Sequence, residues 1–214
     1  MKSRLKSIVF LSVAALYCAA PFAVQAADGK QAPATQKKQK APPLPGAGTG
    51  GTTPHATTNG IIGANRATGS MVTVTYGRPF LKHPRTGEVR KVWGGLVKWD
   101  KADRLGADEA TTVLLQHSIT VGATSIPAGA YTLYIIPSET GVSKLAFSKN
   151  LSRWGVPVDE SNDLVRVELK KDALSETVEQ LTIVVENGPP ESLTGVLKIK
   201  WEQTQFSLPF AVKK

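Results

Sequence analysis

Apolar residues alternate with polar ones along most of the chain that follows residue 52. In "MVTVTYG", Val72, Val74 and Tyr76 share one face, and "LVRVEL" (164–169) places aliphatic residues on one side and charged residues on the other. Successive side chains of a β-strand point to opposite faces, so a period of two predicts strands with one buried face.

The same alternation recurs in many short segments separated by turn signals. These segments are TTVLLQH, SITV, AYTLYIIP, SKLAFS, EQLTIVVE, LTGVLKIKW and QFSLPFAV. Pro127-Ala128-Gly129, Glu139-Thr140-Gly141 and Glu202-Gln203-Thr204 favour turns between neighbouring segments. Only "KKDALSE" (170–176) fits a helical turn. The pattern predicts an all-β antiparallel sandwich or flattened barrel of about nine or ten short strands.

Residues 1–26 have the features of a secretory signal peptide. Three cations lie within Met1–Lys6, Ser7–Ala26 carries no charge, and the small residues Val24 and Ala26 fit a cleavage site. The alternative is an uncleaved membrane anchor. We expect cleavage, export to the periplasm or the cell exterior, and no transmembrane segment in the mature chain.

The only cysteine of the chain is Cys18, which lies inside this predicted signal peptide. Its neighbour Tyr17 is too large for a lipid-attachment site. Cleavage would leave a mature chain without cysteine, so we expect the fold to contain no disulfide and its melting temperature to be insensitive to reducing agent.

Residues 27–52 form a segment rich in Pro, Gly, Ala, Gln and Lys, with Leu44 as its only large apolar residue. Such a composition buries too little apolar surface to offset chain entropy, so we predict a disordered tether. We expect residues 53–214 to form a single β-sandwich domain, because about 160 residues suffice for one core.

Positive charge is concentrated between residues 78 and 104. The formal net charge of +9 divides equally among the signal peptide, the tether and the domain, but within the domain the cations cluster. They are Arg78, Lys82, Arg85, Arg90, Lys91, Lys98, Lys101 and Arg104. Trp93 and Trp99 lie in the same segment. It is typical of a long connection that carries a site, although a solvated basic face with the tryptophans packed on the core is an alternative.

A cationic surface with aromatic residues suits an anionic ligand. The partners that fit are an anionic glycan, a lipid head group or an envelope protein; an exported protein would not meet nucleic acid. The candidate ligand-binding residues are His55, Arg78, Lys82, Arg85, Trp93, Arg104 and Glu109.

The sequence contains little that indicates catalysis. His55, His83 and His117 are the only histidines and have no metal-ligand spacing, and no Gly-x-Ser-x-Gly element is present. We therefore predict no metal site and no cofactor. A site built from His55 and carboxylates is an alternative, and Glu109 is the one weak catalytic candidate.

Asp108 and Glu109 are neighbours just before a predicted strand. Extending the alternation of "TTVLLQH" backward places Glu109 on the inward face and Asp108 on the outward face, so the two should not serve one site. Arg78 is in phase with Val72, Val74 and Tyr76. We therefore predict a partly buried ion pair between Glu109 and Arg78, with Arg104 as the second candidate partner.

Several motifs taken together resemble one protein family. They are TPHATTNGIIGANR, VTVTYGRP, KHPRTGEVRKVWGGLV, RLGADEATT, IPAGAYTLYIIP and LKIKWEQTQFSLPF. This series is similar to the bacterial secreted proteins grouped as domain of unknown function 2911, over roughly residues 53–212. The family usually carries Trp before the Arg of its Arg-x-Gly-Ala element, whereas this chain has Asp103. The resemblance implies a fold and export but no activity.

Two classes of function remain open on the sequence. The first is an exported β-sandwich module that binds an envelope component and catalyses nothing. The second is a hydrolase-like enzyme that uses Glu109 as acid or base. The sequence decides neither the ligand nor the oligomeric state.

Overall fold

The structure is a computed structural model that describes residues 53–151, 154–189 and 191–214. The predicted signal peptide and nearly all of the predicted tether lie outside the described residues. The described part belongs to one compact unit. Its strands are β1 (His55–Ile62), β2 (Ser70–Gly77), β3 (Thr111–Leu115), β4 (Ser118–Val121), β5 (Thr124–Ile126), β6 (Gly129–Ile136), β7 (Ser143–Ser148), β8 (Asp163–Asn187) and β9 (Thr194–Lys213). A short 3₁₀ helix, Glu160–Asn162, precedes β8.

The all-β antiparallel prediction is confirmed. The nine strands form one antiparallel sheet in the order β1-β2-β3-β6-β7-β8-β9-β4-β5. The first and last strands of this order do not pair, so the sheet is open and the barrel alternative is wrong.

The sheet has two layers, one with β1, β2, β3, β6 and β7 and the other with β9, β4 and β5. Strand β8 passes from the first layer to the second. Its first part, 163–169, pairs with β7, and the remainder, from Lys170 to Asn187, pairs with β9. The pairing with β9 shifts register between Ala173 and Val178 and again between Val178 and Thr182. Such bulges bend a strand and increase its twist. The sheet therefore folds over on itself in a sandwich-like manner.

Three predictions about local structure need correction here. The "KKDALSE" segment forms no helical turn, because it lies within β8 at the bend. The predicted strands "LVRVEL" and "EQLTIVVE" are one strand of 25 residues. The proposed turn at Glu202 does not end a strand either: Glu202 has φ 55° but β9 continues through it. β8 and β9 are therefore long rather than short.

The core lies between the two layers. Tyr76 of β2 is buried, and its hydroxyl accepts from the Ile183 backbone N–H (2.9 Å) and donates to the Ile183 carbonyl (3.2 Å). Gly60 of β1 lies so close to the Val185 side chain that a Cβ there would be 2.2 Å from it. The β1–β2 hairpin therefore packs directly on the last part of β8.

Candidate functional site

A cleft of about 460 Å³ opens beside the connection between β2 and β3, residues 78–110. Most of its lining comes from this connection, and Thr53, Pro54, Val156 and Trp201 complete it. The lining residues of the connection are Pro79, Phe80, Pro84, Arg90, Leu96, Val97, Asp103, Arg104, Gly106, Ala107 and Asp108. The volume and the largely apolar lining are those of a small-molecule site.

The β2–β3 connection contains no strand of its own but is tied to the sheet at both ends. The Leu81 N–H donates to Glu179 O (2.6 Å), and the Leu181 N–H donates to Pro79 O (3.0 Å). At the other end Asp103 and Ile135 exchange two backbone hydrogen bonds of 2.8 Å each. The cleft is therefore positioned by β8 on one side and by β6 on the other.

Two arginines line the cleft, and among the described residues neither has a carboxylate within ion-pair distance. Arg90 donates to the carbonyls of Leu81 (3.3 Å) and Phe80. Arg104 donates through Nη1 to the carbonyls of Asp108 (2.7 Å) and Trp154 (3.4 Å). The remaining N–H groups of each guanidinium donate to no described residue.

The loop that follows Arg104 is held in an unusual conformation. Leu105, Gly106 and Asp108 have φ of 54°, 152° and 63°. The Thr111 hydroxyl donates to Leu105 O (2.5 Å), and a Cβ at Gly77 would lie 1.9 Å from Ala107 O. Non-glycine residues adopt left-handed backbone at a cost that the surrounding structure must offset, and such residues concentrate at functional sites.

His55, Asp108 and Glu109 meet where this loop passes the start of β1. His55 Nε2 lies 2.6 Å from Glu109 Oε2 and 4.0 Å from Asp108 Oδ2. Asp108 Oδ2 is buried and has no hydrogen-bond partner among the described residues. His55 and Glu109 border a second hollow of about 540 Å³, which Tyr76 and Leu151 also line. The loop therefore separates the cleft from this second hollow.

Burial perturbs one carboxyl group of the cleft. Desolvation raises the pKa of Asp103, and it outweighs the hydrogen bond from the Leu105 N–H and the charge of Arg104, which both lower this pKa. Trp201 is 3% exposed, and its Nε1 finds no acceptor among the described residues. The cleft thus combines spare donors with a carboxylate whose ionised form is disfavoured.

The predicted pair between Glu109 and Arg78 is wrong. Arg78 instead donates through Nε to Leu181 O (3.1 Å) and through Nη2 to the Thr182 hydroxyl (3.2 Å). Glu109 is the more exposed of the two acidic neighbours, with 52% of its side chain accessible against 30% for Asp108. The left-handed residues before β3 break the alternation, so its extension back to residue 108 fails.

Asp108 lines the cleft and Glu109 lines the second hollow, but the two side chains meet at His55. Both carboxylates approach the same nitrogen of His55. The sequence indicates a group of His55 and carboxylates only as an alternative, and the structure brings these side chains together.

The predicted ligand-binding residues separate into several places. Arg104 lines the cleft, whereas His55 and Glu109 line the second hollow. Trp93 is buried against the ring of Phe206 (4.9 Å), and its Nε1 donates to Trp201 O (3.2 Å). Arg78 faces β8, and Lys82 and Arg85 lie on an exposed turn.

The sequence interpretation missed the cleft residues Phe80, Asp103 and Trp201 as site residues. One signal was available, since Asp103 stands where the similar family has Trp. In the part of the chain that the structure describes, no cluster of three or more His, Cys, Asp or Glu side chains could hold a metal ion.

A model of the family described as "Protein of unknown function (DUF2911)" matches residues 58–210. The chain belongs to this family. The β2–β3 connection and the cleft residues that it supplies lie inside the matched range, whereas Thr53, Pro54 and His55 lie just before it. No curated protein and no solved structure matches the chain significantly. No helix among the described residues of this DUF2911 domain is long and apolar enough to cross a membrane.

Proposed function

We propose that this DUF2911 protein is a non-catalytic, exported binding module whose cleft takes a small apolar molecule carrying an anionic group. The observation that carries the proposal is an apolar cleft with two arginines, Arg90 and Arg104, that have no carboxylate partner among the described residues. Both arginines are partly buried. A guanidinium makes its strongest hydrogen bonds to anions, so an anionic ligand would supply what the protein does not.

The apolar part of the ligand would lie against the cleft's carbon-rich walls. Phe80, Leu96 and Val156 line the cleft and are 44–45% exposed. Large apolar side chains gain from being covered, at roughly 25 cal/mol for each Å² removed from water. An inorganic anion would leave these side chains uncovered, which favours an amphiphilic ligand.

Asp103 gives the proposed site a pH dependence. Its pKa is raised, so as pH falls it takes up a proton before an ordinary aspartate does. Protonation removes a negative charge from the cleft and so makes its net charge more positive. Binding of a permanently charged anion should therefore strengthen as pH falls through the raised pKa of Asp103.

Two fluorescent probes test the anionic requirement. 8-Anilinonaphthalene-1-sulfonate carries a sulfonate, and N-phenyl-1-naphthylamine has the same rings without it. We expect one saturable site that binds the sulfonate about tenfold more tightly, since a hydrogen bond to a charged group contributes about 1.5–3 kcal/mol. Arg104→Met should bring the two affinities together, whereas Arg66→Met, at an exposed turn, should change neither.

Equal affinity for both probes in the wild-type chain would exclude the anionic group from the proposal. Absence of a saturable site for either probe would exclude the cleft. The melting temperature of each variant separates loss of binding from loss of fold, because Arg104 also supports the loop through Asp108 O.

The export half of the proposal rests on the pattern of residues 1–26. Protein recovered from an exporting host should have the mass of a chain that begins at or near Ala27. A mass that still includes Cys18 would contradict cleavage.

The contact between His55 and Glu109 favours a second candidate, acid–base catalysis of hydrolysis. A carboxylate 2.6 Å from an imidazole can orient the ring, as in known general-base pairs. Turnover of p-nitrophenyl esters or glycosides that disappears in both His55→Gln and Glu109→Gln would support it. Equal turnover by wild type and both variants would exclude a catalytic role for His55 and Glu109.

A further inference from the structure

The cleft wall, residues 80–101, presents large apolar side chains to solvent. Phe80 is 44% exposed, Val89 62% and Leu96 45%. Phe80 and Leu96 lie at the cleft, and Val89 pairs with Lys82 across a small hairpin next to Arg90. Exposed apolar side chains gathered in one short segment mark an interaction surface rather than ordinary scatter.

Exposed cations lie in the same segment as these apolar side chains. Lys82, Arg85, Lys91, Lys98 and Lys101 are all exposed, and the only acids in the cleft wall are Glu88 and Asp100. Lys82 lies 3.9 Å from Glu179, and the other four cations have no ion pair with a described residue. The surface is therefore both apolar and positively charged.

Backbone hydrogen bonds give the cleft wall a fixed shape. His83 N–H donates to Glu88 O (2.7 Å), and Arg90 N–H donates to Leu81 O (3.1 Å), which forms the hairpin. A second turn is closed by Val97 N–H to Val92 O (2.9 Å). Because both turns are internally bonded and Trp93 anchors them beneath, Val89 and Leu96 are presented without further ordering of the chain.

We propose that the cleft wall docks onto the surface of an anionic lipid bilayer. Val89, Leu96 and Phe80 would enter the boundary between head groups and acyl chains, and the surrounding lysines and Arg85 would lie at the phosphates. Charge attracts a basic segment to anionic lipid, and apolar contact holds it there. A soluble polyanion would use the cations but leave the apolar side chains in water, so the bilayer fits both halves of the surface.

Phe80 and Leu96 also line the cleft, but Val89 and the exposed lysines do not, so substitutions of Val89 and Lys91 test this surface without touching the cleft lining. The two proposals fail separately. If the chain docks on vesicles but binds neither fluorescent probe, the bilayer proposal is supported and the proposed ligand of the cleft is contradicted.

Vesicle flotation with the full chain provides the first test. We expect the chain to float with phosphatidylcholine vesicles containing about a third phosphatidylglycerol, much less with phosphatidylcholine alone, and less in high salt. Lys91→Glu and Val89→Asp should each lower the vesicle-bound fraction several-fold. Arg66→Glu and Leu114→Asp are matched controls, because Arg66 lies in the β1–β2 turn and Leu114 is an exposed apolar residue of β3 outside the cleft wall.

The N-terminal 52 residues are the same in all these variants, so their own attraction to lipid cancels in the comparison. If the cleft-wall variants and the control variants lose equal binding, the proposal is overturned. Loss on Lys91→Glu with no loss on Val89→Asp would also overturn it, because that pattern indicates a soluble polyanion as the partner.

A local probe provides the second test. An environment-sensitive dye on Val89→Cys, in a chain carrying Cys18→Ser, should shift its emission to the blue on adding anionic vesicles. The same dye on Leu114→Cys should not shift. Equal shifts at the two positions, or none at Val89, would exclude docking through the cleft wall.

Discussion

The long β8–β9 hairpin and the β2–β3 connection both bury large side chains, but they satisfy their backbones differently. Along β8 and β9, regular pairing from Thr182–Lys200 to Asn187–Gly195 supplies the hydrogen bonds. In the β2–β3 connection, isolated backbone bonds alternate with side chains that donate to carbonyls, as Arg78, Arg90 and Arg104 do.

This difference has a mechanical consequence. A strand in a ladder shares its support among many equivalent bonds, so one substitution on its surface changes little. The connection depends on a few side chains, each of which holds a particular carbonyl. Sites are often carried by such connections on a rigid scaffold, because their shape is set by individual residues rather than by a repeating pattern.

Trp93 is the side chain whose loss should most weaken the packing of the β2–β3 connection on the sheet. It is 4% exposed and packs on Trp201 and Phe206. Trp93→Ala should lower the free energy of unfolding by about 3–5 kcal/mol, as for other buried aromatic residues. Urea denaturation measures it, with the exposed Trp154→Ala as control. A loss below about 1 kcal/mol would mean that the connection does not depend on this anchor.

Arg78 offers the next largest effect. Arg78→Met would leave Leu181 O and Thr182 without their charged donor, which typically costs about 1.5–3 kcal/mol. Arg85→Met, at the exposed turn, should stay within about 0.5 kcal/mol. The two denaturation midpoints, measured side by side, give the comparison. Equal effects would remove the distinction between a supporting arginine and a solvated one.

Substitution of Asp103 should have a smaller effect on stability, and the effect should be an increase. Its folded-state pKa is raised above 3.8, so its ionised form is penalised in the fold at neutral pH. Asp103→Asn keeps an acceptor for the Leu105 N–H and should raise the melting temperature at pH 7. The gain should shrink as pH falls through the raised pKa and vanish below about 3.8. A gain that is independent of pH would refute this linkage.

Glu109 should have the smallest effect on stability. It contacts His55 in an exposed pair, and such pairs contribute about 0.2–1 kcal/mol. Glu109→Gln should therefore change the urea midpoint only slightly at pH 7. A loss of 3 kcal/mol or more would restore the buried carboxylate that the alternation of the sequence predicted.

The fold could be predicted from the sequence wherever one rule governs many residues. Val72, Val74 and Tyr76 are all buried, as the period of two requires. The pattern predicts about nine or ten strands, and the part of the chain that the structure describes has nine. The sequence does not reveal that β8 is continuous. Its bend joins two apparently separate strands, and local alternation carries no information about whether a bulge interrupts or ends a strand.

The site was less predictable because it depends on departures from that rule. Arg78 was assigned to Glu109 by phase, yet it donates to β8, which is distant in sequence. The left-handed backbone at Asp108 reverses the expected exposure of two neighbouring acids. What the sequence did indicate was the segment itself, since its cations, prolines and glycines marked a long connection.

Strand β9, the last of the strands in chain order, lies inside the sheet between β8 and β4. A ribosome makes β4 and β5 long before it reaches Ala211 and Val212, the residues that pair with β4. Until then the β4–β5 hairpin has no sheet to join, and Phe206, Leu208 and Phe210 are missing from the core. Folding of this domain therefore waits for the end of β9, and until then the unfinished chain stays open.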